Sequence, residues 1–174
     1  MDYTVAGLPL HVLLVHALIV LTPLVALALV LIAAWPAARR ILWIPVVAAA
    51  ALLLPLGLVT IEAGKWLEQR VPPAPLIQEH TAQGEDIVPW LIGLLVLAMA
   101  IAAWAVVDLV ATRRRTRADA ARRPVRAVRA VVGVVLTLAA LTVATGTTWT
   151  LVRIGEAGSR AVWEGSFSDE PVER

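Results

Sequence analysis

The chain has 174 residues, 60% of them hydrophobic, and a formal net charge of +2. That length and apolarity leave room for a set of membrane spans and short connections, and exclude an added soluble domain of ordinary size. With no cysteine, disulfides, thiolate-held iron–sulfur clusters and covalently attached c-type haem are excluded, so a metal would have to be held by His, Asp, Glu or Met.

The opening Met1-Asp2-Tyr3-Thr4 lacks the basic region of a signal peptide, and the apolar run behind it is too long for a signal core, so the first span is expected to be retained. Four apolar stretches follow in order: Leu8–Trp35, Ile41–Ile61, Ile87–Val110 and Val131–Val152. Each exceeds the roughly 20 residues that cross a hydrocarbon core of about 30 Å, and none carries a charge in its central part. Backbone groups in lipid must be satisfied within the span, and these Ala/Leu/Val runs lack the alternation of a barrel strand. The expectation is an all-α polytopic membrane four-helix bundle in one domain, with spans at about 8–35, 41–64, 85–111 and 130–153 and a polar tail over 164–174.

Charge sets the orientation. Arg39 and Arg40 lie between the first two spans, and eight arginines from Arg113 to Arg129 lie between the third and fourth, against only Asp108 and Asp119. The other side carries Lys65, Arg70, Arg153, Arg160 and Arg174 against the remaining eleven acidic residues. The positive-inside rule then places both termini outside the cytoplasm, in a multi-pass protein of the cell (inner or plasma) membrane. The Arg113–Arg129 segment reads first as a topology determinant, and could also hold anionic lipid headgroups or a partner's acidic surface. It has no interleaved aromatics or nucleic-acid module, so nucleic acid is not an expected partner. A membrane-protein partner or a homo-oligomer stays compatible with the sequence. The seven tryptophans fall near the two expected surfaces, Trp35, Trp43 and Trp104 inside and Trp66, Trp90, Trp149 and Trp163 outside, as an interfacial belt of anchors would.

The two halves of the chain are alike. The second span ends Val59-Thr60-Ile61-Glu62-Ala63-Gly64, the fourth Val152-Arg153-Ile154-Gly155-Glu156-Ala157-Gly158, and one inserted glycine aligns them as V-x-I-E-A-G. His11 is followed five residues later by His16, and His80 five residues later by Glu85. Two parallel helical hairpins related by an axis along the membrane normal would have this pattern. Spans one and three begin at the outer surface while two and four end there, so His11, His16, His80, Glu62, Glu85 and Glu156 gather at one end of the bundle.

His16 lies eight residues inside the first span, roughly 12 Å down at about 1.5 Å per residue. An ionisable group at that depth is a functional candidate because its burial is costly. Two chemistries suit the set. His11 and His80, with His16 nearby, could ligate a b-type haem, glycines at 64, 84, 146 or 155 giving the macrocycle room. Alternatively His11, His80, Glu62 and Glu156 could bind a divalent metal ion, as facing helices do in carboxylate bundles. Neither has a diagnostic spacing, and Glu62 with Lys65, or Glu156 with Arg153 or Arg160, could equally neutralise helix ends. No Ser/His/Asp set, phosphate loop or metalloprotease motif is present, so the protein is not expected to be an enzyme.

Gly7-Leu8-Pro9-Leu10-His11-Val12-Leu13-Leu14-Val15-His16 resembles the opening of a bacterial family of four-helix membrane proteins, domain of unknown function twenty-two thirty-one. Glu79-His80 to Gly84-Glu85 is similar to its third-helix His-Glu-x-x-Gly segment, and Gly155-Glu156-Ala157-Gly158 through Trp163 to its fourth-helix ending. Val12 replaces the family's proline, and Glu156 stands where many members have histidine, which removes a potential ligand for a second haem. The resemblance implies no established activity, but a distant architectural likeness to two-haem four-helix cytochromes favours the haem reading. The function expected is that of a small non-catalytic membrane protein with a His/carboxylate site for electron transfer; the alternative is a structural or accessory subunit of a larger membrane complex that binds no cofactor.

Overall fold

The computed structural model describes residues 2–114, 123–168 and 171. The fold is all-α, apart from a two-stranded ribbon at the N-terminus: β1 (Thr4–Val5), β2 (Leu8–Pro9), α1 (Leu10–Ala34), α2 (Pro36–Glu68), α3 (Pro75–Gln83), a 3₁₀ turn over Gly84–Ile87, α4 (Val88–Arg114) and α5 (Arg123–Trp163). Four helical segments are long and apolar enough to cross a membrane: Leu10–Ala34, Pro36–Glu68, Pro75–Ala111 and Ala127–Trp163. They form a four-helix bundle in which α1 and α4 each pack against both α2 and α5, leaving α1 and α4 on one diagonal.

Several boundaries differ from the sequence expectation, each for a local reason. The antiparallel ribbon pairs Thr4 with Pro9 and Val5 with Leu8 around Ala6 and Gly7, both at positive φ (51° and 78°), the backbone that a tight hairpin of this hand requires. No loop separates the first two spans. Trp35 is extended, as the residue before a proline is driven to be, and Pro36 opens α2 at a position where its missing N–H costs nothing. Arg39 and Arg40 therefore sit in the first five residues of α2. Arg39 folds back, 7% exposed, and donates from Nη1 to the carbonyls of Ile32 (3.1 Å) and Ala33 (3.0 Å), two of the acceptors left open at the end of α1. The third span starts earlier than expected, as α3 and the 3₁₀ turn stand on α4, and α5 runs through to Trp163.

Leu18, Leu29, Ile32, Leu53, Leu91, Leu94 and Ile101 fill the core, with Ala26, Ala50, Ala98 and Ala140 letting the helices approach closely. Large apolar side chains such as Leu24, Leu27, Leu52, Leu138 and Trp149 cover the outside, the arrangement suited to lipid. At the end opposite the histidines, Asp108 of α4 pairs with Arg129 of α5. Residues 115–122 of the arginine-rich segment lie outside the described residues, and the expected contacts with anionic lipid fall in part on them. Trp90, expected as an interfacial anchor, instead packs its ring on Gly146 of α5, where a Cβ would overlap it. Trp66 lies between Tyr3, 6.2 Å away edge to face, and Arg70, whose guanidinium sits 3.9 Å over the ring.

A candidate cofactor site at one end of the bundle

His11 stands in the first turn of α1, just behind the ribbon, and His80 in the last turn of α3. Their rings meet edge to face, with centroids 6.0 Å apart and planes inclined by 74°. His11 Nδ1 donates to the Thr60 carbonyl of α2 (2.9 Å), and His80 Nδ1 to the Ile154 carbonyl of α5 (3.1 Å). A carbonyl can only accept, so each of these bonds fixes the hydrogen on Nδ1, and the neutral ring keeps its lone pair on Nε2. An imidazole oriented through one nitrogen, with the other free to bind, is how metal-ligating histidines are commonly held.

Each ring rests on a glycine of the helix that holds it. A Cβ at Gly64 would stand 2.9 Å from His11 Nδ1, and one at Gly158 2.9 Å from His80 Cε1. The two clusters are equivalent: His11 with Thr60 and Gly64, His80 with Ile154 and Gly158. The match shows that Glu62-Ala63-Gly64 and Glu156-Ala157-Gly158 align directly, with Thr60 on Ile154. Gly155, read from sequence as an insertion, takes the place of Ile61.

A cavity of about 600 Å³ runs past both rings, lined mostly by apolar side chains of α1, α2, α3 and α5. It keeps the same symmetry. Counting from the two histidines, Val15 and Leu18 correspond to Gly84 and Ile87, and all four line it. Gly84 and Gly155 both line the cavity with open space where a Cβ would be, so they do leave room there, whereas Gly146 serves the Trp90 contact.

The structure thus brings His11 and His80 together and does not bring the carboxylates to them. Glu62 comes two residues before Gly64, about 200° around the helix, and faces out to Lys65 (3.2 Å). Glu156 is exposed, beside a separate small polar pocket that it shares with Glu79, Arg153 and Arg160. Among the described residues no group of three or more His, Asp or Glu is placed to hold a metal ion, so the expected set of His11, His80, Glu62 and Glu156 is not assembled. His16 lines the cavity but does not join the pair. Five residues from His11, it is turned about 140° away, exposed, and donates from Nδ1 to the Val12 carbonyl of its own helix (2.6 Å). Glu85, matched to His16 by spacing, is exposed and bonded to Lys65 at 2.7 Å, while neighbouring Asp86 pairs with Arg153. The two ion pairs fasten the 3₁₀ turn to α2 and α5. Sequence reasoning missed the two carbonyl acceptors, which leave no mark in residue type, and the role of Gly158.

No family model, curated protein or solved structure matches the chain.

Proposed function

We propose that the protein is a non-catalytic electron-transfer protein of the cell membrane that holds a b-type haem between His11 and His80. The observation that carries this reading is the pair itself, two rings 6.0 Å apart, each tied by Nδ1 to a carbonyl and each bordering one cavity of about 600 Å³. Two imidazoles held through Nδ1, each with its Nε2 lone pair free, would be a donor pair for one metal centre. A bare divalent ion asks for three or four protein donors, and among the described residues no group of three is placed to hold one. A haem, whose macrocycle brings four nitrogens of its own, would need only two donors from the chain, and His11 and His80 would supply them. When bound, the haem iron supplies a one-electron couple. The chain's own contribution is to fix both tautomers, to shield the site with an apolar lining and to place it near one end of the bundle.

The test is visible spectroscopy of protein purified in mild detergent from haem-replete cells. A Soret band is expected in the wild type and in His16→Ala, and its loss in both His11→Ala and His80→Ala. A metal without a Soret band, or a band that survives in His80→Ala, overturns the reading. A colourless, metal-free protein leaves the accessory-subunit role.

A further inference from the structure

The four spans differ in what they turn outward. Over residues 19–31 of α1, 41–59 of α2 and 92–107 of α4 every exposed side chain is apolar, and the hydroxyls of Thr22 and Thr60 are buried inside the bundle. The last helix departs from this. Only 6% of the most apolar window of its span is buried, against 28–39% in the other three, and its outward face carries Thr142, Thr145 and Thr148. Thr145 is the midpoint of the Ala127–Trp163 span, about 27 Å from either end at about 1.5 Å per residue, so its surroundings are hydrocarbon. Thr142 returns its hydroxyl to the Leu138 carbonyl (3.1 Å), whereas those of Thr145 and Thr148 meet no partner among the described residues. A polar group left unmet in hydrocarbon is costly.

That face also has the spacing of a helix pair. Leu138, Thr142, Thr145, Trp149, Val152 and Glu156 follow one another at intervals of 4, 3, 4, 3 and 4 residues, and all six are exposed. Such a seam stays against a parallel neighbour that crosses at a small angle. At its outer end Glu156 has no ion pair among the described residues, and one turn further on Arg160 bonds Glu164 through Nε (2.8 Å), which leaves its Nη groups open.

We propose that the outward face of α5 is a homodimer interface, on which a second copy of this chain sits in parallel about a twofold axis normal to the membrane. Lipid tails cannot meet a hydroxyl. A hydroxyl both donates and accepts, so Thr145 is complementary to itself, and a second copy inserted in the same orientation brings it to the same depth. Across the axis Glu156 of each copy comes opposite Arg160 of the other, two equivalent pairs that the twofold generates together. A partner of different sequence would have to reproduce both the depth of the hydroxyls and the order of the charges. Ile154 and Gly158, which hold His80, lie on the inward side of α5, so the interface stands whether or not the histidine pair holds haem.

The experiment mixes copies labelled at Ser168→Cys with a donor or an acceptor dye in phosphatidylcholine–phosphatidylglycerol liposomes and dilutes them with lipid, energy transfer reporting the fraction paired. Transfer above that of randomly placed monomers is expected in the wild type, falling on dilution. With Thr142→Val and Thr145→Val together, which keep the side-chain shape and remove the hydroxyls, half-dissociation should come at a protein-to-lipid ratio about tenfold higher. Leu52→Ala, on the exposed face of α2, should leave it unchanged. Glu156→Arg should weaken pairing about threefold, and adding Arg160→Glu should restore it, a rescue that a second copy of the same chain gives and an unrelated partner does not. In native membranes, mild oxidation should join Leu138→Cys to its own copy and leave Leu52→Cys unjoined. Transfer no greater than chance in the wild type, or equal dissociation of the wild type and the valine variant, overturns the proposal. An adduct of Leu138→Cys with a different polypeptide in place of the dimer overturns it as well.

Discussion

In both Glu-Ala-Gly segments the smallest residue faces the site and the charged one faces away, because a separation of two positions turns a helix by about 200°. The glycines set how closely α2 and α5 approach the imidazoles. Gly158→Ala puts a methyl group 2.9 Å from His80 Cε1, tighter than two carbons tolerate. The ring must swing off the Ile154 carbonyl or α3 must move, at a cost of about 1–3 kcal/mol for an overpacked contact. The expected result is a lower Soret absorbance per protein and a lower melting temperature. Gly133→Ala, with nothing within 4 Å of the new methyl, should leave the Soret band unchanged and the melt unchanged or slightly higher. At this scale the sequence pointed to His11 and His80 as opposed groups, and the structure has them opposed. It could not place Glu62 and Glu156, because a carboxylate near a helix end has a local cation in reach as well as a distant histidine. Here the local cation Lys65 holds Glu62. The Nδ1 acceptors are backbone atoms that any residue type would supply, so they were not legible at all.

Helices were legible wherever the run of apolar residues exceeded the thickness of a bilayer, since no other backbone arrangement of such a segment satisfies its own polar groups there. Their joints were not. A polar loop was expected at Arg39 and Arg40, but the sequence there is also a proline-initiated helix, and the single extended residue Trp35 suffices to turn the chain. That joint has a testable consequence. Because Arg39 is buried and donates to both the Ile32 and Ala33 carbonyls, Arg39→Ala removes two bonds from a charged donor and leaves two acceptors open. A loss of about 2 kcal/mol is expected in denaturation from detergent micelles. Lys65→Ala breaks the exposed pairs with Glu62 and Glu85, which solvent screens, and should cost clearly less than Arg39→Ala. Equal losses in the two variants would show that the carbonyls at the end of α1 find other donors. The ribbon at residues 4–9 was missed because two-residue strands carry no periodicity to read.

For the whole molecule, the duplication and the charge distribution bear on one question, which end of the bundle faces which side of the membrane. Contacts from Tyr3 to Trp66, His11 to His80 and His80 to Gly158 put the start of α1, the end of α2, α3 and the end of α5 at the same end of the bundle. That end contains the site, while Arg39, Arg40 and Arg129 belong to the other, and it is there that the arginine-rich stretch of the sequence joins the described helices. Loops rich in arginine resist passage across the membrane, so the expected orientation has the arginine-rich end in the cytoplasm and the His11–His80 pair within reach of the outside. The chain has no native cysteine, which makes single-cysteine labelling clean. In intact cells, Ser168→Cys should react with a membrane-impermeant maleimide, and Ala118→Cys should react only after permeabilisation. Labelling of Ala118→Cys alone in intact cells would reverse the molecule. The proposed electron exchange would then face the cytoplasm.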